Sequence, residues 1–217
     1  MSSRLFISKN TSEVTELISH LENQNAEVIA HSFLQFEAIE FAIAQTYDII
    51  FFSSPRSVLF FKSRSDIPIN TLIACTGPKT AQLLKSMGHK INFVGEKSGD
   101  INSVAESFKI WAGEKTVLFP ISNLSLRSIS SALDPNQVIE LDVYKTSFKE
   151  KKIDACQTYV FTSPSNVEGF LLKNRIPQEA KVIAWGTSTA SKLVESRIEV
   201  NHTLEESSVA QLIKILN

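Results

Sequence analysis

Two short phrases place hydroxyl side chains where an apolar run gives way to a helix. Phe51–Val58 reads FFSSPRSV, and Val160–Val167 reads VFTSPSNV. In each, hydroxyl residues precede a proline: Ser53 and Ser54 before Pro55, Thr162 and Ser163 before Pro164. Serine as cap and proline at the first helical position together mark a helix start. Such a start keeps backbone N–H groups open and carries the positive end of the helix dipole, and both favour an anion. Ser57 in the first phrase, and Ser165 and Asn166 in the second, add further polar groups to the same turns. A second pair of turns follows downstream. CTGPKTAQLL contains Gly77 and Thr80, and AWGTSTASKL contains Gly186, Thr187 and Thr189. Glycine allows close backbone approach, and the threonines supply hydroxyls. Taken singly, each turn reads as a helix cap. Four such turns facing one cleft would suit a ligand bearing several carboxylates or phosphates.

The spacing ties the pairs together. Ser54 and Ser163 stand 109 residues apart, and so do Gly77 and Gly186. One register therefore carries both pairs across two strands and two helices, which points to an internal duplication. Around these turns, apolar runs alternate with helix-period segments. Strands are expected at Arg4–Ser8, Glu27–Ala30, Asp48–Ser53, Leu72–Cys75, Ile91–Val94, Thr116–Phe119, Val138–Val143, Thr158–Thr162 and Val182–Trp185, with a short one near Ile198–Val200. Helices are expected after Thr11 or Ser12, from Pro55, over Pro78–Ser86 with Gly88 just beyond its end, and over Ser103–Trp111 and Leu126–Leu133. Three more are expected over Asn166–Lys173, Thr189–Glu195 and Ser207–Leu216. This alternation predicts an α/β protein with parallel sheets covered by helices. About ten strands is many for one sheet in 217 residues, so two lobes of about five strands each are expected.

Composition removes other classes. Hydrophobic residues make up 43% and charged residues 21%, with a net charge of −1. That is ordinary globular composition and favours neither a nucleic acid nor a membrane as partner. No apolar run approaches the roughly 20 residues that span a bilayer, and the N-terminus MSSRLFISKN lacks a secretory h-region. A cytoplasmic protein is expected. Cys75 and Cys156 read as two reduced thiols, with a single disulfide as the alternative. His20, His31, His89 and His202 are scattered without metal-ligand spacing. The phosphate loop GxxxxGK[ST], the dinucleotide fingerprint GxGxxG and the hydrolase elbow GxSxG are all missing. The run Lys149–Lys152 reads as a solvated linker.

The ordered set DIIFFSSPRSV, CTGPKTAQLLKSMGHKINFVGE, ELDVYKTSF, YVFTSPSNVEGFL and WGTSTASKL resembles the uroporphyrinogen-III synthase family over almost the whole chain. The resemblance implies two flavodoxin-like α/β lobes with parallel sheets, joined by a two-stranded linker. Residues 1–31 with 150–217 would form one lobe and 40–141 the other, with 32–39 and 142–149 as interlobe linkers. It implies cyclisation of hydroxymethylbilane to uroporphyrinogen III, with loss of water and inversion of the last pyrrole ring. No cofactor or metal is implied. The partner would be the small-molecule substrate alone, and the chain a monomer. The eight carboxylates of that substrate suit helix N-termini. Tyr144 of DVYKT matches the family's tyrosine, proposed to assist departure of the hydroxyl group; the plain alternative is a half-buried strand tyrosine. Ser53, Ser54, Ser57, Thr80, Ser163, Ser165, Asn166 and Thr189 match positions at the family's cleft. The main rival is a non-catalytic two-lobed binding protein for a small polyanion. A two-lobed sugar-nucleotide transferase is a second rival, for which the chain is short. The glycine expected after the last-but-one helix is replaced around Ser196-Arg197.

Overall fold

A computed structural model describes residues 3–96 and 100–216. In chain order the elements are β1 (Arg4–Ile7), α1 (Thr15–Glu22), β2 (Glu27–Ala30), β3 (Leu34–Ala38), β4 (Ile49–Phe52), α2 (Pro55–Lys62), β5 (Leu72–Cys75), α3 (Pro78–Ser86) and β6 (Phe93–Val94). Then follow α4 (Ile101–Ala112), β7 (Val117–Ser122), β8 (Val138–Phe148), β9 (Thr158–Phe161), α5 (Pro164–Leu171), β10 (Lys181–Ala184), α6 (Thr187–Glu195), β11 (His202–Thr203) and α7 (Val209–Leu216). The chain divides into two compact units. One runs to Gln35 and resumes at Ser147; the other is Phe36–Thr146.

In the first unit the sheet order is β2-β1-β9-β10-β11, with every pair parallel. In the second it is β8-β7-β4-β5-β6, again parallel, with β3 added outside β8. Ile39 N–H donates to the Val143 carbonyl and Lys149 N–H to the Phe33 carbonyl. Numbers rise on one strand as they fall on the other, so β3 and β8 run antiparallel. The central strands are buried on both faces, which is why they read as apolar runs; all four residues of β4 are fully buried. Two apolar clusters lie on the two sides of each sheet: one of the second unit is built on Phe51, Phe108 and Phe119, the other on Phe52, Phe61 and Val143.

The two sheets have one topology, read from different starting points in the chain. Strands β1, β2, β9, β10 and β11 occupy the places of β7, β8, β4, β5 and β6. The 109-residue register extends to a third strand: Ala74 pairs with Phe93, and Ile183 with His202. It also reaches side chains. Asn92 Oδ1 accepts from Ile73 N–H at 2.9 Å, and Asn201 Oδ1 accepts from Val182 N–H at 2.6 Å. These asparagines close equivalent strand ends and strengthen the case for duplication.

Several expected elements change. The helix expected over Leu126–Leu133 is a single 3₁₀ turn at Ser130–Ala132. Arg127 takes a positive φ of 56°, which an α-helix does not admit, and its Nε donates to Glu140 Oε2 at 2.7 Å. The short strand expected at Ile198–Val200 lies instead at His202–Thr203, because Ile198 and Val200 turn into the apolar cluster around Phe161 and Phe170. Strand Ile91–Val94 shortens to Phe93–Val94, and Val138–Val143 extends to Phe148. Both thiols are free and buried, and burial pushes each up to about 11.

Helix α3 ends with Gly88 at φ 83°, and α6 ends with Arg197 at φ 60°, in the same place of the repeat. Both turns bond alike: His89 N–H donates to the Leu84 carbonyl and Ile198 N–H to the Leu193 carbonyl. A left-handed conformation disfavours any residue with a Cβ, while glycine loses more entropy on folding. Arg197→Gly is therefore expected to stabilise the protein by about 0.5–1 kcal/mol net. A rise of roughly 1–4 °C in Tm by calorimetry would register it.

Candidate active site

Each pair of turns sits side by side because the preceding strands are neighbours. Phe52 pairs with Cys75 across β4 and β5, and Phe161 with Ala184 across β9 and β10. All four turns thus lie beyond the carboxyl ends of parallel strands, the usual position of ligand sites in open α/β sheets.

The serine-capped turns are nearly identical. Ser54 has φ −158° and ψ 159°, and Ser163 has φ −161° and ψ 156°. Ser54 Oγ accepts from Ser57 N–H at 3.2 Å, and Ser163 Oγ from Asn166 N–H at 3.3 Å. Proline at the first helical position has no N–H. After capping, the open donor in the first turn of α2 is Arg56 N–H, and in that of α5 it is Ser165 N–H, among the described residues. The glycine-capped turns differ. Gly77 and Gly186 are fully extended, a conformation open to any residue, so backbone freedom is not what glycine supplies there. What glycine contributes is the absence of a capping side chain. Lys79 and Thr80 N–H stay open in α3, and Thr187 and Ser188 N–H in α6, among the described residues.

Side chains at these turns divide by exposure. Ser53 and Thr187 are exposed, and Ser54, Thr162, Ser163 and Ser165 are half-buried. Ser57, Thr80, Asn166 and Thr189 are buried. Ser57 Oγ donates to the Ser54 carbonyl at 2.8 Å. Asn166 is clamped: its Oδ1 accepts from Phe33 N–H at 2.9 Å and its Nδ2 donates to Ser163 Oγ at 3.1 Å. Thr162 Oγ1 donates to the Ser8 carbonyl at 2.7 Å, and Thr162 N–H donates to Ser8 Oγ at 2.8 Å. This stitches the ends of β1 and β9 together. Lys9 beside it pairs with Glu13 at 3.3 Å and lies 5.6 Å from the centroid of the Trp185 ring.

Tyr144 lies on β8, opposite Ser122, next to an irregularity in the β7–β8 pairing. It is 7% exposed. Its ring stacks on Phe60 with centroids 4.8 Å apart and meets Phe36 edge-on at 6.1 Å. Its hydroxyl has no hydrogen-bond partner among the described residues. Asn123 fixes the strand just beyond, accepting from Thr146 N–H at 2.8 Å and donating to its carbonyl at 3.1 Å. The second unit also has a mostly apolar cavity of about 200 Å³ beside Ser53, lined by Ile101, Phe119, Ile121, Leu126 and Ile129. Nothing in the sequence alone marks Phe36, Phe60 or Asn123, or the pairing of Ser8 with Thr162. The hydroxyl of Ser8 at a strand end was the one available signal. Among the described residues, no cluster of His, Cys, Asp and Glu is arranged to hold a metal.

A family model described as Uroporphyrinogen-III synthase HemD matches residues 15–216. Among solved structures, uroporphyrinogen-III synthetase from Helicobacter pylori 26695 superposes with a TM-score of 0.71 at 14% identity, covering 100% of this chain and 98% of that one. A mutant uroporphyrinogen III synthase from the extremely thermophilic bacterium Thermus thermophilus gives a TM-score of 0.70 at 15% identity, over 99% and 98% of the two chains. At these identities the likeness shows the two-domain α/β fold. Among curated protein sequences none matches. The family model spans nearly the whole chain, duplicated turns and tyrosine strand included, so the chain belongs to the uroporphyrinogen-III synthase family, cyclising lyases of heme biosynthesis.

Proposed function

We propose that this chain cyclises hydroxymethylbilane to uroporphyrinogen III, with the turns of both units receiving substrate carboxylates and Tyr144 acting at the departing hydroxyl. The observation that carries this reading is the set of four turns, each with at least one open backbone N–H donor at the carboxyl end of its sheet. Charge–dipole contacts at helix ends are worth up to about 2 kcal/mol each, so several together hold a polyanion. The exposed or half-buried hydroxyls of Ser53, Ser54, Thr162, Ser163, Ser165 and Thr187 are placed to add contacts. Buried Ser57 and Asn166 hold their turns through side-chain hydrogen bonds, and Thr80 and Thr189 are buried in theirs. Gly77 and Gly186 leave the backbone donors uncovered.

In the reaction the hydroxyl leaves the hydroxymethyl carbon with a proton from the Tyr144 phenol, and water departs. The electron-rich terminal pyrrole attacks the resulting cation at its substituted carbon, giving a spiro centre. Migration of one linking carbon then inverts that ring. The proton lost as the pyrrole regains aromaticity returns to the phenolate, so atoms and charge balance. The sequence is redox-neutral and needs no electron carrier. Most of the rate would come from holding the two ends of the bilane together, where correct orientation is worth up to about 7–11 kcal/mol.

No helix among the described residues is long and apolar enough to cross a membrane. We take the enzyme to act in the cytoplasm as a monomer. The test is to supply hydroxymethylbilane and separate the oxidised porphyrin isomers. The type III isomer is expected to predominate. The type I isomer alone, as in spontaneous closure, would leave a polyanion-binding protein as the better reading.

A further inference from the structure

Helix α2 begins at the serine-proline turn and carries Arg56 and Phe60 one turn apart on a shared face. Each takes an aromatic ring from a different strand. The Arg56 guanidinium carbon lies 3.5 Å from the centroid of the Phe36 ring, on β3. Phe60 stacks on Tyr144, on β8, with 15° between the ring planes. Phe36 and Tyr144 then meet edge-on, at 62°. These three contacts, with the helix joining Arg56 to Phe60, link the four residues within Phe36–Thr146.

Two features exceed what packing requires. Arg56 puts a cation in the first turn of a helix, where the dipole disfavours it, and it has no carboxylate partner among the described residues. The Tyr144 hydroxyl likewise has no partner among them, so packing alone sets its direction. A parallel stack fixes the plane of the phenol, and the edge contact fixes its tilt. The duplicated scaffold does not itself demand a ring here. The residue 109 positions after Phe60 is Gly169, and there the space is filled by Phe33 and Phe148.

We propose that Phe60 is a positioning residue for Tyr144, aiming its hydroxyl at the departing hydroxyl group, with Phe36, itself under Arg56, meeting the same ring edge-on. This rests on the synthase reading of the chain. It also couples α2, whose N-terminus meets substrate, to the phenol through one rigid contact.

The experiment measures kcat, KM and porphyrin isomer ratio with hydroxymethylbilane for Phe60→Leu, Phe60→Met and Phe60→Tyr, alone and combined with Tyr144→Phe. Thermal unfolding monitors folding. Phe60→Leu and Phe60→Met are expected to lower kcat about tenfold, leave KM within about twofold and raise the type I share, because a misplaced group loses rate rather than binding. Phe60→Tyr keeps the ring and should restore kcat to within about twofold. In the Tyr144→Phe background, Phe60→Leu should cost nothing further, since its effect runs through the missing hydroxyl. Full kcat in folded Phe60→Leu or Phe60→Met, an effect on KM alone, or an equal loss in the Tyr144→Phe background would each overturn the proposal. Absence of type III product from the unaltered chain is a different failure, which removes the synthase reading and this inference with it.

Discussion

Replacing Tyr144 by phenylalanine is expected to lower turnover by about 10²-fold or more, the usual contribution of a positioned proton donor. Stability should hardly change. The hydroxyl makes no hydrogen bond to a described residue, so its removal orphans no buried partner, and the ring keeps its stack on Phe60 and its edge contact with Phe36. The substitution therefore separates the two readings of this tyrosine. If Tyr144 is a strand residue valued for its bulk, Tyr144→Phe is silent in both rate and stability. If the hydroxyl acts on the leaving group, kcat falls, KM holds, and spontaneous closure takes a larger share of the substrate as type I product. Tyr144→Leu supplies the contrast. It removes the ring from a site that is 7% exposed, so stability falls as well, by about 1–3 kcal/mol. Unchanged turnover in Tyr144→Phe would take this residue out of the mechanism.

The parts of this molecule legible in its sequence were those written as repetition. FFSSPRSV and VFTSPSNV predicted matching helix starts, and the cap geometry of Ser54 and Ser163 agrees within a few degrees. Buried strands were legible because they are apolar throughout, as Ile49–Phe52 is. What escaped had its cause in tertiary structure. Leu126–Leu133 has helical spacing, but Arg127 sits at positive φ beside its Glu140 partner, and spacing carries no trace of that ion pair. Asn92 and Asn201 do the same work in both units, yet lone asparagines just before two-residue strands give no signal until the register is extended to them. At the candidate site, the turns could be named from sequence but not the division of labour within them. Asn166 and Ser57 look like exposed polar residues of a turn. The folded chain buries both and uses their polar atoms to hold the turns in place. The aromatic partners of Tyr144 lay beyond reach, since Phe36 and Phe60 are distant in sequence and each reads as ordinary core.

Gly169 decides between two opposing effects whose magnitudes can be compared. It stands inside α5, where alanine is favoured over glycine by about 1 kcal/mol on helix propensity. On that ground alone Gly169→Ala would stabilise. A Cβ at this position, however, would lie 2.5 Å from Phe33 Cβ and 3.0 Å from Phe148 Cδ1. Phe33 Cβ is fixed to its backbone and cannot swing aside, and Phe33 is itself fully buried against Phe6 and Phe170. Relief requires α5 to move away from the chain at Phe33, and overpacking of this kind costs about 1–3 kcal/mol, with more where backbone must shift. The same movement stretches the bond from Phe33 N–H to Asn166 Oδ1, and a buried donor left unmade costs about 1–3 kcal/mol again. The clash outweighs the propensity, and Gly169→Ala is expected to destabilise by about 2 kcal/mol. Calorimetry should show a Tm lower by roughly 4–8 °C. Because α5 also carries the Ser163 and Ser165 turn, KM for hydroxymethylbilane should rise with little change in kcat. A higher Tm would mean that the close approach of Phe33 to α5 is not made. The same place in the other unit holds Phe60, so one position of the repeat is kept empty to admit Phe33 and Phe148 and filled in its twin to aim a tyrosine.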